Sequence, residues 1–244
     1  MFHILLFAMV LMKQICSMRV TSCTLFDFKN TAVDIKMLGA GLHRRLLINS
    51  TITSTKRLVD CQILYKFLIP SGAYINMDSV HSFLHKHNVA KAKFDIEAPE
   101  EKSEETDFYL CPIHGIRRSF IFAESFQLPV HLRYHKPSRL HEATVLFRAP
   151  SLLLRCGTHD VSVTNEECKL HIVKAPCDCS IVERKCDWLQ IPTSTNVTLR
   201  LSVPTGNIEV RLVVITVTLL SVLLSLSIII FSSLPAAVIK DKRE

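Results

Sequence analysis

Glycine is scarce in this sequence, and the motifs of the common enzyme classes are missing. Only 6 of the 244 residues are glycine, which disfavours a loop that cradles phosphate with backbone amides. The sequence has no G-x-S-x-G, no H-E-x-x-H, no phosphate-binding loop and no dinucleotide fingerprint. It also has no internal repeat and no long low-complexity segment. These absences argue against catalysis by this chain alone, and we expect no cofactor and no resident metal.

Charge is missing from one long run near the C-terminus, Leu212–Ile239. A helix rises 1.5 Å per residue, so about 20 such residues cross the roughly 30 Å hydrocarbon core of a bilayer. We therefore predict a transmembrane helix over residues 212–234 and a cytosolic tail over residues 235–244. Pro235 should mark the point where the helix frays. Basic residues close the run at both ends: Arg211, Lys240, Lys242 and Arg243.

A second apolar run, Ile4–Met12, is too short to span a bilayer but suits the core of a signal peptide. We predict a signal peptide over residues 1–17; an uncleaved anchor is the alternative. Residues 18–211 would then form one luminal domain, and the basic tail agrees with the positive-inside rule. The net charge of +7 is spread along the luminal segment, and nucleic acid is excluded as a partner by compartment.

Cysteine usage points to the same oxidising compartment. The chain has 9 cysteines, and loss of Cys16 with the signal peptide leaves an even set, which reads as disulfides whose pairing the sequence does not select. That set is Cys23, Cys61, Cys111, Cys156, Cys168, Cys177, Cys179 and Cys186. A zinc site built from the last four is the alternative, although their spacing lacks the paired C-x2-C form. Two glycosylation sequons, at Asn49 and Asn196, also fall in the luminal segment.

Alternation of apolar and polar residues dominates the luminal segment. In 129–135, Val130, Leu132 and Tyr134 alternate with polar residues, and 196–203 behaves in the same way. Pro129 stands at the start of the first of these strands, where a missing donor is tolerated. Turn-forming prolines at positions 70, 137, 150 and 176 separate the further strand candidates. These candidates are Leu58–Ile69, Ser119–Phe126, Thr144–Phe147 and Lys169–Val173. Such a series predicts a mainly β fold, an antiparallel β-sandwich-like luminal domain with one C-terminal transmembrane helix.

One helix is predicted inside this domain, capped by Asp78 and running from Ser79 to Ala92. The acidic stretch Glu97–Asp107 follows and is interpreted as a solvated loop.

Histidines supply the few candidates for chemistry. Those at positions 81, 85 and 87 lie close together and could bind a metal, but exposed helix side chains are the simpler interpretation. His131, Arg133 and His135 would project from one strand face, where they could bind a phosphate or a partner's carboxylate. Any half-exposed strand produces the same alternation.

Several strings resemble the PIG-X/Pbn1 family. They are Leu68–Tyr74, Phe94–Glu100, Leu128–Ser138 and Cys186–Trp188, followed by a Val-Thr-Leu strand and one C-terminal span. The resemblance covers most of residues 40–235, and the strand motif around His131–Tyr134 is its most specific part.

This resemblance implies a non-catalytic accessory subunit of the endoplasmic reticulum. In that family the subunit binds and stabilises PIG-M, the multispanning catalytic subunit of GPI mannosyltransferase I, which transfers the first mannose of the GPI core. No catalytic residue is carried over to this chain. A single-pass cell-surface receptor or adhesion protein with a disulfide-bonded ectodomain is the alternative.

Two features of the C-terminal region fit an accessory role. Lys240 and Lys242 match the K-x-K-x-x form of a retrieval signal for the endoplasmic reticulum, with stop-transfer charge as the alternative. Small hydroxyl residues also share one side of the span within about 60°, at 100° per residue, and could pack against a span of the partner. They are Thr218, Ser221, Ser225 and Ser232.

Overall fold

A computed structural model describes residues 28–90, 92–157, 172–179, 181–194 and 197–241. Its strands are β1 Phe28–Leu38, β2 His43–Ile69, β3 Ala73–Ile75, β4 His87–Val89, β5 Thr106–Pro112, β6 Ile116–Leu132, β7 Glu142–Arg148, β8 Ser151–Cys156, β9 Ile172–Asp178, β10 Ile181–Gln190 and β11 Thr198–Pro204. The helices are α1 Met77–Phe83 and α2 Arg211–Asp241, with short 3-10 turns at Glu100–Lys102 and Ile208–Val210. The predicted mainly β fold with one C-terminal helix is confirmed. The predicted signal peptide lies outside the described residues.

The long strand β2, of 27 residues, organises the larger sheet. Its first half lies between β1 and β6, and its second half pairs with β8 and β5. The β2–β6 register shifts between Thr53 and Leu58, which marks the boundary between the halves. The sheet has the order β3-β6-β2-β8-β10-β9, and its named strand pairs are antiparallel.

A second sheet, formed by β7 and β11, packs on the first and closes the core. Val145 and Phe147 of β7 and Leu201 and Val203 of β11 are buried in the same cluster as the inner face of β2 and β6. In β11 the polar residues between them are exposed, as period-two alternation requires. The sandwich-like prediction is therefore confirmed.

Among the described residues, three disulfides tie together the half of the domain that contains β8, β9 and β10. Cys61 bonds to Cys156, Cys111 to Cys179, and Cys177 to Cys186. The oxidising compartment inferred from the cysteine count agrees with these pairs, while Cys16, Cys23 and Cys168 lie outside the described residues. Three of the four cysteines considered for zinc are engaged in these bonds, so the zinc alternative lacks its ligands. A small second core around Trp188 packs beside them.

The helix prediction within the domain was wrong in its start and its length. Asn76, and not Asp78, caps α1, because its side chain accepts a hydrogen bond from the backbone of Asp78. The helix ends at Phe83, and residues 87–89 pair with β5 as strand β4. As a strand this segment pairs with β5 and buries His87, which is only 7% exposed.

Three prolines also departed from expectation. Pro176 was expected in a turn but lies within β9, the last strand of its sheet, where a missing donor is tolerated. Pro129 was expected at a strand start but lies inside β6, just before the residues that pair with β3. Pro235 does not end α2, which continues to Asp241. A helix interrupted by one proline keeps its remaining backbone hydrogen bonds.

Candidate partner-binding surfaces

Helix α2 lies apart from the folded domain. The stretch Ile208–Ser233 is long and apolar enough to cross a bilayer; its most apolar 18 residues have mean hydropathy 2.8 and are not buried against the rest of the chain. Its side chains from Leu212 to Phe231 include many large, exposed apolar groups. Such a surface is stable only in lipid or against another apolar surface.

The hydroxyl groups of the predicted stripe all bond to their own helix. Thr218, Ser221, Ser225 and Ser232 each donate to a backbone carbonyl of the preceding turn, at 2.8–2.9 Å. Thr216 and Ser227, on the opposite side of the helix, make the same kind of bond. No hydroxyl of the stripe is thus left without a hydrogen bond, which allows exposure to lipid and still permits close approach of a second helix.

The strand directions show which end of the domain adjoins α2. Strand β11 leads through Thr205–Asn207 and the 3-10 turn directly into the helix, so its C-terminal end is the helix end of the domain. The beginning of β2 lies at this end, because Arg44 Nη2 donates to the carbonyl oxygen of Ser202 at 3.4 Å. At the other end of the β1–β2 pair, Ser194 donates from its backbone to the carbonyl of Thr31, which is paired with Ile52.

His131 lines a basic cleft at the helix end, formed with His43, Arg44 and Arg45 of β2 and closed on one side by α1. The cleft has a volume of about 440 Å³, and the rings of His43 and His131 lie 3.8 Å apart between centroids. Tyr74 Oη lies 3.0 Å from His131 Nδ1. Burial, and then the charge of His43, lower the pKa of His131. The surface could receive an anionic or hydrogen-bonding group of a partner.

Arg133 and His135 do not share the strand face of His131, because β6 ends at Leu132. Arg133 is only 5% exposed; its Nη1 donates to the carbonyls of Asp95 and Ala98, and its guanidinium lies 5.0 Å from the Tyr74 ring centroid. Burial lowers the pKa of Arg133. The side chain therefore fastens the acidic loop to the end of β6. Tyr134, expected on the buried face, is 74% exposed.

His135 lies half-buried on the same segment, with Nδ1 2.9 Å from the carbonyl oxygen of Arg133. Its ring also packs against Gly72, where an added Cβ would lie 3.0 Å from Nε2. The absence of a side chain at position 72 makes room for this ring.

A buried polar network was not found from the sequence. Tyr65 Oη lies 2.6 Å from Ser50 Oγ and donates to Glu124 Oε2 at 2.9 Å, and His87 Nε2 lies 3.0 Å from Glu124 Oε1. The His87 contact is close enough for an ion pair but lacks hydrogen-bond geometry. Burial, and then the charge of Glu124, raise the pKa of Tyr65. Only the alternation of β2 and β6, which places positions 50 and 124 on inner faces, could have indicated it.

This network cannot serve as an active site, because its groups face the core. Ser50 is 2% exposed, Tyr65 0% and His87 7%, so a substrate cannot reach them. His87 is therefore not the exposed helix residue that was expected, and His85 lies outside α1, so positions 81 and 85 do not form one helical face. Within the described ranges, no group of three or more His, Cys, Asp or Glu side chains could hold a metal ion.

The sequon asparagines and the two lysines after the apolar run are the remaining predicted site residues. Asn49 is exposed on the outer face of β2, where its side-chain oxygen accepts a hydrogen bond from Ser125 at 2.7 Å. Asn196 and Lys242 lie outside the described residues, and Lys240 is placed only as part of the α2 backbone. Glycosylation of the two sequons and retrieval by the lysines stay predictions.

Comparison with known proteins gives one consistent result. The family model described as PIG-X / PBN1 matches residues 39–234. A human protein named "GPI alpha-1,4-mannosyltransferase I, stabilizing subunit" is 34% identical over 80% of this chain and 76% of its own length. Rat and mouse proteins of the same name are 29% and 30% identical, each over 81% of this chain, and over 79% and 78% of their own lengths.

Proposed function

The chain belongs to the PIG-X/PBN1 family, and from this membership we propose that it is the non-catalytic stabilising subunit of GPI mannosyltransferase I. The observation that carries the proposal is the shared sequence with relatives of that name over the domain and the span together. The word "stabilizing" in the names of these relatives supports a non-catalytic role for this chain. Its contribution would be to the folding and lifetime of another protein.

We place this protein in the membrane of the endoplasmic reticulum, with the β domain in the lumen and the C-terminus in the cytosol. The three disulfides require an oxidising compartment, and the basic residues after Ile239 favour the cytosolic side. The partner is the multispanning catalytic subunit PIG-M. One surface for it is α2, whose hydroxyl stripe allows close helix packing, and the other is the basic cleft around His131.

Loss of the chain from its own cells tests the function as a whole. Surface GPI-anchored proteins and the amount of PIG-M should both fall, and both should recover when the chain is expressed again. If both remain normal without the chain, the proposed function is wrong.

A double substitution tests the contact through α2. Ser221→Leu with Ser225→Leu fills the small-residue stripe, so recovery of PIG-M with the chain from mild detergent should fall several-fold. Thr216→Leu with Ser227→Leu is the matched control, because it removes equivalent hydroxyls from the opposite side of the helix. Equal recovery with both pairs would refute a contact at the stripe and leave the luminal surface as the site.

A further inference from the structure

A short loop beside the start of α2 carries an unusually exposed leucine. Leu140 is 84% exposed, which is the highest value among the large apolar side chains of the described residues, those of α2 included. Basic residues surround it in the sequence: Lys136, Arg139 and His141. Single exposed leucines are ordinary on protein surfaces, so exposure of Leu140 is informative only because of where it lies in the fold. We call residues 136–141 the interfacial loop.

The interfacial loop is fixed to the segment that enters α2. Ser138 donates from its backbone to the carbonyl of Gly206 at 2.9 Å, and its hydroxyl lies 2.9 Å from that of Thr205. Thr205 in turn donates from its backbone to the carbonyl of His141 at 2.9 Å. These contacts fix Ser138 and His141 and leave the tip between them, residues 139–140, exposed.

The tip extends toward the apolar part of α2. Strand β7 follows the loop and runs antiparallel to β11, so it leads away from the helix end of the domain. Residues that precede β7 therefore lie on the helix side of it, and Ser138 is paired directly with Asn207. From Asn207 to Leu212 the 3-10 turn and first helical residue rise about 8–10 Å. A headgroup layer is about 5–8 Å deep on each side, so Ser138 lies near its outer boundary. Because the Ser138–Asn207 bridge is parallel, residues 139–140 continue from there into the layer.

We propose that the interfacial loop is a second membrane contact, in which Leu140 enters the headgroup region beside α2. The inference rests on α2 spanning a bilayer, which belongs to the proposed function. Lys136, Arg139 and Arg211 lie near lipid phosphates in this arrangement, while Glu142 and Glu209 offset part of their charge. The leucine therefore supplies most of the attraction, and the cations set its depth. Two contacts, unlike one, also fix the height of the basic cleft above the bilayer.

Tryptophan placement in the full chain tests this contact. The chain has 1 native tryptophan, Trp188, which is 1% exposed and supplies a constant background. Leu140→Trp, Val222→Trp and Ile121→Trp are each reconstituted in phosphatidylcholine nanodiscs with bromine near the top of the acyl chains. Ile121 is a matched control, because it is 57% exposed and pairs with Thr53, at the end of the β1–β2 pair that lies away from α2. Val222 lies near the middle of α2 and reports the span itself.

Each outcome separates the loop from the span. We expect bromine to quench Leu140→Trp clearly and Ile121→Trp no more than the wild-type background. Equal quenching at positions 140 and 121, with Val222→Trp quenched, would overturn the membrane contact and leave the span intact. If Val222→Trp is not quenched, the span in the proposed function fails. Quenching absent in lipid, with a blue shift of Leu140→Trp only when PIG-M is bound, would assign the loop to the partner and also overturn the proposal.

Discussion

Removal of a single hydroxyl group tests whether the buried network stabilises the β domain. Tyr65→Phe keeps the ring, which packs at 5.0 Å from the Phe126 ring, and deletes only the oxygen shared by Ser50 and Glu124. A buried polar group left without its partner costs about 1–3 kcal/mol. Ser50 retains a long contact of 3.5 Å to the Glu124 carbonyl, and the Glu124 side chain is 17% exposed. The cost of leaving each of these two groups without Tyr65 Oη therefore lies at the lower end of that range.

We therefore expect Tyr65→Phe to lower the free energy of unfolding by about 2–3 kcal/mol. For a domain of this size that corresponds to about 4–12 °C in Tm. Thermal and urea unfolding of the full chain in detergent, followed through Trp188 fluorescence, measures it. Tyr134→Phe is the matched control, since its ring is 74% exposed, and it should change stability by less than about 0.5 kcal/mol. If the two variants are equally stable, the network does not stabilise the fold as argued.

The remaining predictions concern pH, retrieval and glycans. Because the folded domain raises the pKa of Tyr65, wild-type stability should fall as pH rises above about 10, and Tyr65→Phe should lose less over that interval; parallel curves would contradict this. Lys240→Ser with Lys242→Ser should render the glycans resistant to endoglycosidase H, and unchanged sensitivity would mean that these lysines do not retain the protein. Asn49→Gln and Asn196→Gln should each remove one glycan, seen as a mobility step on deglycosylation; no step would show an unused sequon.

The β architecture was predictable because strand alternation survives in the sequence. Val145 and Phe147 in β7 and Leu201 and Val203 in β11 follow the period of two and are buried as expected. The boundaries of the helices and strands were harder to predict from the sequence. The sequence of residues 87–89 is compatible both with an extension of α1 and with a strand beside β5. Only the pairing with β5 in the folded domain decides between helix and strand.

The site-level expectations failed where a side chain found a partner distant in sequence. Arg133 reads as an exposed strand residue, but carbonyls 35 and 38 positions away accept its hydrogen bonds inside the fold. The contacts of His87 and Tyr65 with Glu124 have the same origin, since no local pattern joins β4, β2 and β6. By contrast, the apolar helix α2 is encoded locally by the absence of charge, and it continues past Pro235.

If the chain acts as an accessory subunit, its function depends directly on the stability of this small domain. If the chain protects PIG-M by binding it, any change that unfolds the β domain should lower the amount of the partner, although the change touches no contact surface. Tyr65→Phe should therefore lower PIG-M abundance in cells in proportion to its own loss of folded protein, whereas the stripe substitutions should lower it with the domain intact.

The half-life of PIG-M after rapid depletion of this chain tests the central claim most directly. A chase after protein synthesis is stopped follows PIG-M with and without the chain, and messenger RNA levels are measured in parallel. The proposed function predicts that PIG-M disappears several-fold faster without the chain while its messenger RNA is unchanged, and that re-expression restores the slow decay. An unchanged half-life of PIG-M, even with fewer GPI-anchored proteins at the surface, would contradict a stabilising role.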